Sequence, residues 1–296
     1  MHAPDNPPVP PPQGNAPGRL SDWLGWAAGA LQQASDSARA DAEILLCELL
    51  GCNRAGLVIR ADEVLSTEMA LRYAALIERR QQGEPVAYLT GRREFWSLEL
   101  QVSPAVLIPR PDTELLVEWA LQRLRGVGAP LIADLGTGSG AIALALASER
   151  ADAHVVAVDL SADALAQAAH NGRLLGLERV EFRLGDWLVP LPGERFDLIV
   201  SNPPYVAEQD PHLRDLRFEP RRALTAGADG LSDLRRIATD AMAHLKYGAA
   251  LLLEHGAEQG AAVRALLHQQ GYAAIETRRD LAGLERATLG VQSADE

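Results

Sequence analysis

The fold is decided by residues 131–149, which read LIADLGTGSGAIALALASE. Apolar residues open this stretch and predict a strand over Leu131–Leu135, and apolar residues close it and predict a helix over Gly140–Glu149. The glycines between them let the backbone turn sharply and let a ligand approach without meeting a Cβ atom. This glycine loop (Gly136–Gly140) is typical of nucleotide-cofactor sites, although a G-x-G-x-G pattern alone is a weak signal.

The rest of the chain repeats the alternation of strands and helices that begins here. Continuous apolar strands separated by helices predict an α/β fold with a parallel, doubly wound sheet. The last two predicted strands are joined by a short loop, residues 278–284, and predict a hairpin at the edge of the sheet. The other predicted strands are His154–Asp159, Val180–Leu184, Phe196–Ser201, Ala249–Glu254, Ala273–Thr277 and Arg286–Leu289, and the predicted helices include Ala162–Leu175, Gly230–Leu245 and Glu258–Gln270.

The second of these strands ends at Asp159, about 20 residues after the glycine loop, where a carboxylate can accept both hydroxyls of an adenosine ribose. The alternative is that Asp159 caps the helix that starts after Ser161. Dinucleotide enzymes need a third glycine three positions after the second, whereas here Gly138 is followed by Gly140. This spacing favours S-adenosylmethionine over NAD. Trp187, after the third strand, offers a stacking face for the adenine ring.

The fourth strand runs into Asn202-Pro203-Pro204-Tyr205, which we call the transfer loop. The carboxyl ends of parallel strands meet at one edge of a sheet, so this loop should face the same crevice as the glycine loop. An amide nitrogen is a poor nucleophile because its lone pair is conjugated. The Asn202 side-chain oxygen and the Pro203 carbonyl can accept hydrogen bonds from both of its N–H groups, and Tyr205 can lie flat on the planar group. The loop predicts methyl transfer to a planar nitrogen, and a simple turn is the alternative.

Four segments are expected along the chain. Residues 1–18 are rich in proline and predict a disordered tail. Residues 19–90 carry apolar side chains at spacings of three and four and predict a small helical domain. Alternation of period two within residues 91–111 predicts a connecting β-hairpin, with its turn near Ser97–Gln101 or Ser103-Pro104. The methyltransferase domain is expected over residues 112–296.

Composition narrows the function classes. The net charge is −12, from 28 basic and 40 acidic residues, which argues against duplex DNA or long RNA as the substrate because such proteins carry a basic face. Cys47 and Cys52 predict reduced, mostly buried thiols, and the sequence shows no metal-ligand pattern around them. No apolar run reaches membrane-spanning length, and no signal peptide is evident. We expect a cytoplasmic protein without metal, membrane or direct nucleic-acid contact.

The chain resembles a known family, the bacterial release factor glutamine methyltransferases of the PrmC/HemK type, over nearly all of residues 39–289. The most family-specific segment is Ile108–Glu114, IPRPDTE, because nothing in a generic methyltransferase demands it. The glycine loop and the transfer loop also match. The remaining matching segments are Ala38–Glu43, Tyr88–Gly91, Arg93–Trp96, Arg217–Pro220 and Leu252–Gly256.

The resemblance implies N5-methylation, with S-adenosylmethionine, of the glutamine in the Gly-Gly-Gln motif of class I peptide chain release factors. It implies a Rossmann-like class I methyltransferase sheet and a helical domain that grips the release factor. The implied cofactor contacts are Gly136, Thr137, Gly138, Ser139, Gly140, Asp159, Trp187 and Asn202. The implied glutamine site is Asn202, Pro203, Pro204, Tyr205 and Phe95, with Asn202, Pro203 and Tyr205 catalytic.

Four other readings stay open. A sister family methylates a glutamine of a ribosomal protein with the same transfer motif, but as a family it differs around residues 109–112. An N6-adenine methyltransferase also acts on a planar amine but usually carries a basic recognition region. An oxidoreductase with NAD or FAD and a non-enzymatic adaptor are the remaining classes. Glu254 and His255 end an apolar strand and are interpreted as structural, since no partner spacing supports a general base.

Overall fold

The computed structural model describes residues 18–293. Most of the segment predicted to be a disordered tail, residues 1–17, lies outside the described residues. The chain divides after Gly91 into two compact units, and the second begins at Arg92. Each unit has apolar side chains buried in a core of its own. No helix within residues 18–293 is both long enough and apolar enough to cross a membrane.

The first unit is helical, which confirms the predicted N-terminal helical domain. Left-handed backbone at Gly51, with φ of 60°, ends one helix, and the side chains of Asn53 and Ser66 accept backbone N–H groups at the start of two others. Tyr73 is buried in this core, and its hydroxyl donates to the carbonyl of Ala42 at 2.8 Å. The helices are α1 (Leu20–Leu31), α2 (Ala38–Leu50), α3 (Arg54–Ile59), α4 (Thr67–Gln81) and α5 (Val86–Thr90).

A two-stranded hairpin opens the second unit. Strand β1 (Arg92–Phe95) pairs antiparallel with β2 (Leu98–Gln101), so the turn consists of Trp96 and Ser97. These residues have φ of 52° and 59°, the left-handed geometry that suits the twist of a two-residue hairpin. The turn therefore lies at the start of the expected range and not at Ser103-Pro104. The alternation of apolar and polar residues continues through the turn, which is why the sequence did not locate it.

The described residues of the second unit form a seven-stranded sheet with the order β5-β4-β3-β6-β7-β9-β8. Strands β3 to β7 are parallel, whereas β9 is antiparallel to both of its neighbours. The doubly wound fold and the terminal hairpin are confirmed, and the final strand lies inside the sheet. The strands are β3 (Leu131–Leu135), β4 (His154–Asp159), β5 (Glu181–Leu184), β6 (Phe196–Ser201), β7 (Leu245–Glu254), β8 (Tyr272–Arg279) and β9 (Glu285–Gln292).

Helices cover both faces of this sheet. Apolar side chains of α6 and α7 fill the core on one face, and those of α9 and α10 fill the core on the other. The strand order reverses at β3, with β4 and β5 on one side of it and β6 and β7 on the other. A crevice opens at the carboxyl ends of the strands at this point. The helices are α6 (Glu114–Arg123), α7 (Ala141–Glu149), α8 (Ala162–Leu174), α9 (Ser232–Ala241) and α10 (Gly260–Gln269).

Candidate active site

A cavity of about 280 Å³ occupies this crevice. Most of its walls come from the loops that follow β3, β4, β5 and β6, as expected for the carboxyl edge of a doubly wound sheet, and segments 105–107 and 220–223 with two residues of α9 complete them. Among the residues predicted from sequence, the cavity is lined by Gly136, Gly138, Asp159, Trp187, Asn202 and Pro204. The structure therefore brings the glycine loop, Asp159 after β4 and the transfer loop together around one cavity.

The glycine loop owes its shape to left-handed backbone. Gly136, Gly138 and Gly140 have φ of 73°, 56° and 86°, values that residues with a side chain rarely adopt. A Cβ on Gly140 would also lie 2.9 Å from a methyl group of Leu144. The backbone N–H of Gly136 donates to the carbonyl of Val158 at 2.8 Å, which fixes the loop against β4.

Thr137 and Ser139 shape the loop from behind and do not line the cavity. Both are buried. The Thr137 hydroxyl donates to the Asp134 carboxylate at 2.6 Å, and the Ser139 carbonyl accepts from the Asn171 side chain at 2.9 Å. Burial raises the pKa of Asp134 to about 7, and one of its oxygens has no hydrogen-bond partner among residues 18–293.

Asp159 lines the cavity and is hydrogen-bonded to the glycine loop. One carboxylate oxygen accepts the N–H of Gly138 at 2.9 Å, and the other accepts the N–H of Ser161 at 2.8 Å. The helix that follows is capped by the Ser161 hydroxyl, which accepts from Ala164, so Asp159 is not its cap. Trp187 packs its ring over Gly136, where an added Cβ would lie 3.1 Å from the ring.

The transfer loop is held by side chains from other parts of the unit. The Asn202 amide nitrogen donates to the Thr113 hydroxyl at 3.1 Å, and the Tyr205 hydroxyl donates to Glu254 at 3.2 Å. The main-chain carbonyl of Tyr205 accepts from the Gln259 side chain at 3.0 Å. Pro203 is buried, and Tyr205 is half-buried behind the cavity wall.

Burial dominates the electrostatics beneath this loop. It raises the pKa of Glu254 to about 7, while the hydroxyls of Thr113 and Tyr205 act in the opposite direction. Burial and the neighbouring Glu254 also raise the pKa of Tyr205 above its ordinary value, so this hydroxyl stays protonated. The protonated phenol keeps the hydrogen that it donates to the Glu254 carboxyl.

Phe95, predicted to line the substrate pocket, is not among the residues that line the cavity. Its side chain is 1% exposed and packs into the core with side chains of α6 and α7. The physical reason is the alternation of side chains along β1, in which Phe95 is the buried residue and packs into the core.

Sequence reasoning did not assign two groups that hold the site. Thr113 and Glu254 contact the transfer loop; both belong to segments that match the family, and Glu254 was interpreted only as structural. Glu219 also belongs to a matching segment, and it accepts from the N–H of Ile108 at 3.1 Å and from Arg110 at 2.5 Å. The Glu219 carboxylate thereby connects two segments of the chain. Residues 105–107 precede its partners, residues 220–223 follow Glu219 itself, and both segments line the cavity.

Both ring nitrogens of His255 are engaged away from the cavity. One lies 2.8 Å from the Thr288 hydroxyl, and the other lies 2.9 Å from the carbonyl of Gly256. Burial lowers the pKa of this imidazole, which is therefore neutral at pH 7. These contacts support the structural role expected for His255, whereas Glu254 faces the transfer loop.

Comparison with known proteins identifies both units. Residues 22–91 match the family described as PrmC N-terminal domain, and residues 131–285 match the family described as methyltransferase domain. The release factor glutamine methyltransferase of Xylella fastidiosa (strain Temecula1) is 56% identical over 254 residues, which cover 85% of this chain and 92% of that protein. The protein of the same name from Escherichia coli (strain K12) is 50% identical over 270 residues, covering 90% and 97%.

Solved structures agree on the fold of the second unit. A Thermus thermophilus 16S rRNA N2 G1207 methyltransferase, solved with AdoMet and guanosine, superposes with a TM-score of 0.52 at 21% identity. The match covers 68% of this chain and 49% of that one. At this identity the likeness concerns the fold alone, which is that of class I methyltransferases.

Proposed function

The chain belongs to the family of release factor glutamine methyltransferases, and we propose that it methylates the glutamine of the Gly-Gly-Gln motif in class I peptide chain release factors. The support is the identity of 50–56% with two relatives of that name, which extends over more than nine-tenths of each relative. The match to the PrmC N-terminal domain covers the helical unit as well. We propose that this unit engages the release factor and that the reaction takes place in the cytoplasm, where translation ends.

S-adenosylmethionine is the cofactor, and the cavity fits it. Glycines at positions 136 and 138 let a ligand approach the backbone, and Asp159 offers its carboxylate to ribose hydroxyls. Trp187 offers a ring for the adenine to pack against, and Asn202 of the transfer loop also lines the cavity. When bound, the cofactor supplies an electrophilic methyl group on its sulfonium sulfur.

The observation that carries the proposal is the orientation of the Asn202 amide. Its nitrogen is occupied by Thr113, and its oxygen accepts no hydrogen bond from another residue that the structure describes. That oxygen and the Pro203 carbonyl are therefore suited to accept the two N–H groups of a substrate amide. Holding both N–H groups in this way aligns the nitrogen for transfer, and the two prolines keep the acceptors rigid.

This geometry would also suit an exocyclic amine of adenine, which presents the same pair of N–H groups. The net charge of −12 and the family of the chain both favour a protein substrate. A nicotinamide enzyme is disfavoured because the second unit matches a methyltransferase domain over residues 131–285.

The test is transfer of labelled methyl from S-adenosylmethionine to a purified class I release factor. We expect label in the wild-type release factor and none in a variant whose Gly-Gly-Gln glutamine is replaced by alanine. Ribosomal protein L3 and a double-stranded DNA are offered in parallel as alternative acceptors. Faster labelling of either alternative than of the release factor would overturn the proposal.

A further inference from the structure

The buried carboxylate of Glu254 has no role in the proposed reaction, yet it lies directly beneath the transfer loop. It ends β7 and is 1% exposed. One oxygen accepts from the Tyr205 hydroxyl at 3.2 Å, and the other has no hydrogen-bond partner among residues 18–293. A buried acidic group of this kind is costly to maintain, so it requires an explanation.

Thr113 connects this carboxylate to Asn202. The hydroxyl of Thr113 accepts from the Asn202 amide nitrogen at 3.1 Å and also interacts with the Glu254 carboxylate. A hydroxyl carries one hydrogen to donate. Because Thr113 already uses a lone pair for Asn202, its one hydrogen is free to turn towards Glu254, which accepts it when ionised above pH 7.

This sequence of donors and acceptors determines which end of the Asn202 amide faces the cavity. With Thr113 turned to Glu254, the inner position beside Thr113 must hold a donor, which is the amide nitrogen. The amide oxygen is then directed outward. Without Glu254, Thr113 could donate to the amide oxygen instead, and the amide nitrogen would face the substrate N–H, placing two donors against each other.

We propose that Glu254 is a positioning residue that orients the Asn202 amide through Thr113 and holds the Tyr205 ring through its hydroxyl. This inference rests on the proposed function, because the oriented amide matters only for a substrate that donates N–H groups. Glu254 touches neither the substrate nor the cofactor in this role. Its effect is to keep both sides of the transfer loop in one arrangement.

Thr113→Val is the main test because it removes the hydroxyl and preserves the shape of the side chain. We expect kcat to fall about 100-fold, as for a small misplacement of a reacting group. Affinity for S-adenosylhomocysteine, measured by calorimetry, should be unchanged. Thr113→Ser, which restores a hydroxyl, should return kcat to within a few fold of wild type.

The matched control is Thr288→Val. Thr288 is equally buried and its hydroxyl is equally engaged, but its partners are His255 and Thr277 and not the transfer loop. This variant should lower stability and leave kcat unchanged. Glu254→Met should resemble Thr113→Val, and the double variant should be no slower than the slower single variant, since the two residues act in series.

Equal kcat in Thr113→Val and wild type, or equal losses in Thr113→Val and Thr288→Val, would overturn the inference while the proposed function stands. Failure of the proposed function shows instead in the wild-type enzyme, which would then not label the release factor. A measurement without substrate covers that case. The side-chain amide resonances of Asn202 should shift in Thr113→Val and Glu254→Met and stay in place in Thr288→Val, and unshifted resonances in the first two variants refute the inference.

Discussion

The glycine loop and the transfer loop follow adjacent parallel strands, β3 and β6, but they are held in place by different means. The glycine loop is shaped mainly by its own backbone, through left-handed glycines and a hydrogen bond to Val158, with added side-chain contacts from Asp159 and Asn171. The transfer loop is held by side chains from other segments, among them Thr113, Glu254 and Gln259. A site built from backbone conformation is visible in a sequence because glycine marks it, whereas a site built from distant side chains is not.

The largest effect that we expect comes from Asn202→Ala, which removes the amide from the transfer loop. Loss of one positioned polar group of this kind lowers kcat by about 10²–10³-fold. Affinity for S-adenosylhomocysteine should change little, since most of the cavity wall is untouched. Labelled methyl transfer gives kcat, and calorimetry gives the affinity.

Asn53→Ala is the control for this variant. Asn53 caps α3 in the helical unit, and its loss should cost about 1 kcal/mol of stability without altering kcat. If Asn202→Ala instead loses affinity for S-adenosylhomocysteine in proportion to kcat, Asn202 serves the cofactor and the division between the two loops breaks down.

Gly230→Ala tests how the main chain of the transfer loop is supported. The residue has φ of 72°, and a Cβ there would lie 2.3 Å from the carbonyl oxygen of Tyr205. Gly248→Ala is the matched control, with φ of 76° and open space around the Cβ position. Left-handed backbone alone should cost the control about 1–2 kcal/mol.

We expect Gly230→Ala to lose more stability than Gly248→Ala in urea unfolding and, unlike the control, to lose kcat as well. A pair of variants with equal stability and equal kcat would show that the loop adapts to a shifted Tyr205. In that case the main chain of the transfer loop does not depend on the close packing of Gly230 against Tyr205.

Gly140→Ala is the corresponding test of the glycine loop. Its added methyl would lie 2.9 Å from Leu144 and 3.2 Å from Ala168, so the start of α7 must shift. We expect affinity for S-adenosylhomocysteine to fall about tenfold, equivalent to about 1.4 kcal/mol, with little change in kcat at saturating cofactor. Gly126→Ala shares the left-handed φ, at 80°, but meets open space and should retain full affinity. A loss of kcat rather than affinity in Gly140→Ala would contradict the separation of roles.

A further effect concerns pH and compares the buried carboxyl beneath each loop. Burial raises the pKa of both Asp134 and Glu254 to about 7, whereas in the unfolded chain each titrates near 4. Between pH 5 and pH 7 the folded state therefore retains protons that the unfolded chain has released, so the contribution of these groups to stability falls as pH rises.

Asp134→Asn and Glu254→Gln remove this dependence. Relative to wild type, each variant should gain about 2 kcal/mol in free energy of unfolding between pH 5 and pH 7, measured with urea. A gain in only one variant would show which of the two carboxyls, Asp134 or Glu254, retains its proton in the folded protein. No change in either variant would mean that the two carboxyls are already ionised in the folded protein at pH 5.

The sequence predicted the strands of the doubly wound sheet well because buried parallel strands are continuous apolar runs. Predicted and observed bounds coincide for Leu131–Leu135, His154–Asp159 and Phe196–Ser201. The start of β7 was predicted at Ala249 but lies at Leu245, because Lys246 to Gly248 are exposed and interrupt the apolar pattern. The order of strands in the sheet depends on contacts that no local pattern records.

The candidate site was predicted unevenly for the same reason. The glycines, Asp159 and the transfer loop are each recognisable within a few residues of chain. Thr113 reaches Asn202 across 89 positions, and Tyr205 reaches Glu254 across 49. The assignment of Phe95 to the pocket relied on resemblance alone, and its burial could be read only from the packed hairpin. The roles assigned to the cavity residues remain predictions that the variants above test.

The position of β9 has a consequence for how the protein is made. The ribosome completes β8 before β9, yet β8 joins the sheet only by pairing with β9, which also pairs with β7 and aligns Ala287 with Glu254. Until β9 emerges, β7 is an unpaired edge and β8 has no partner strand in the sheet. A nascent chain that stalls before Glu285 therefore carries the whole glycine loop and transfer loop but has an open apolar edge, and it is a candidate for chaperone binding or proteolysis.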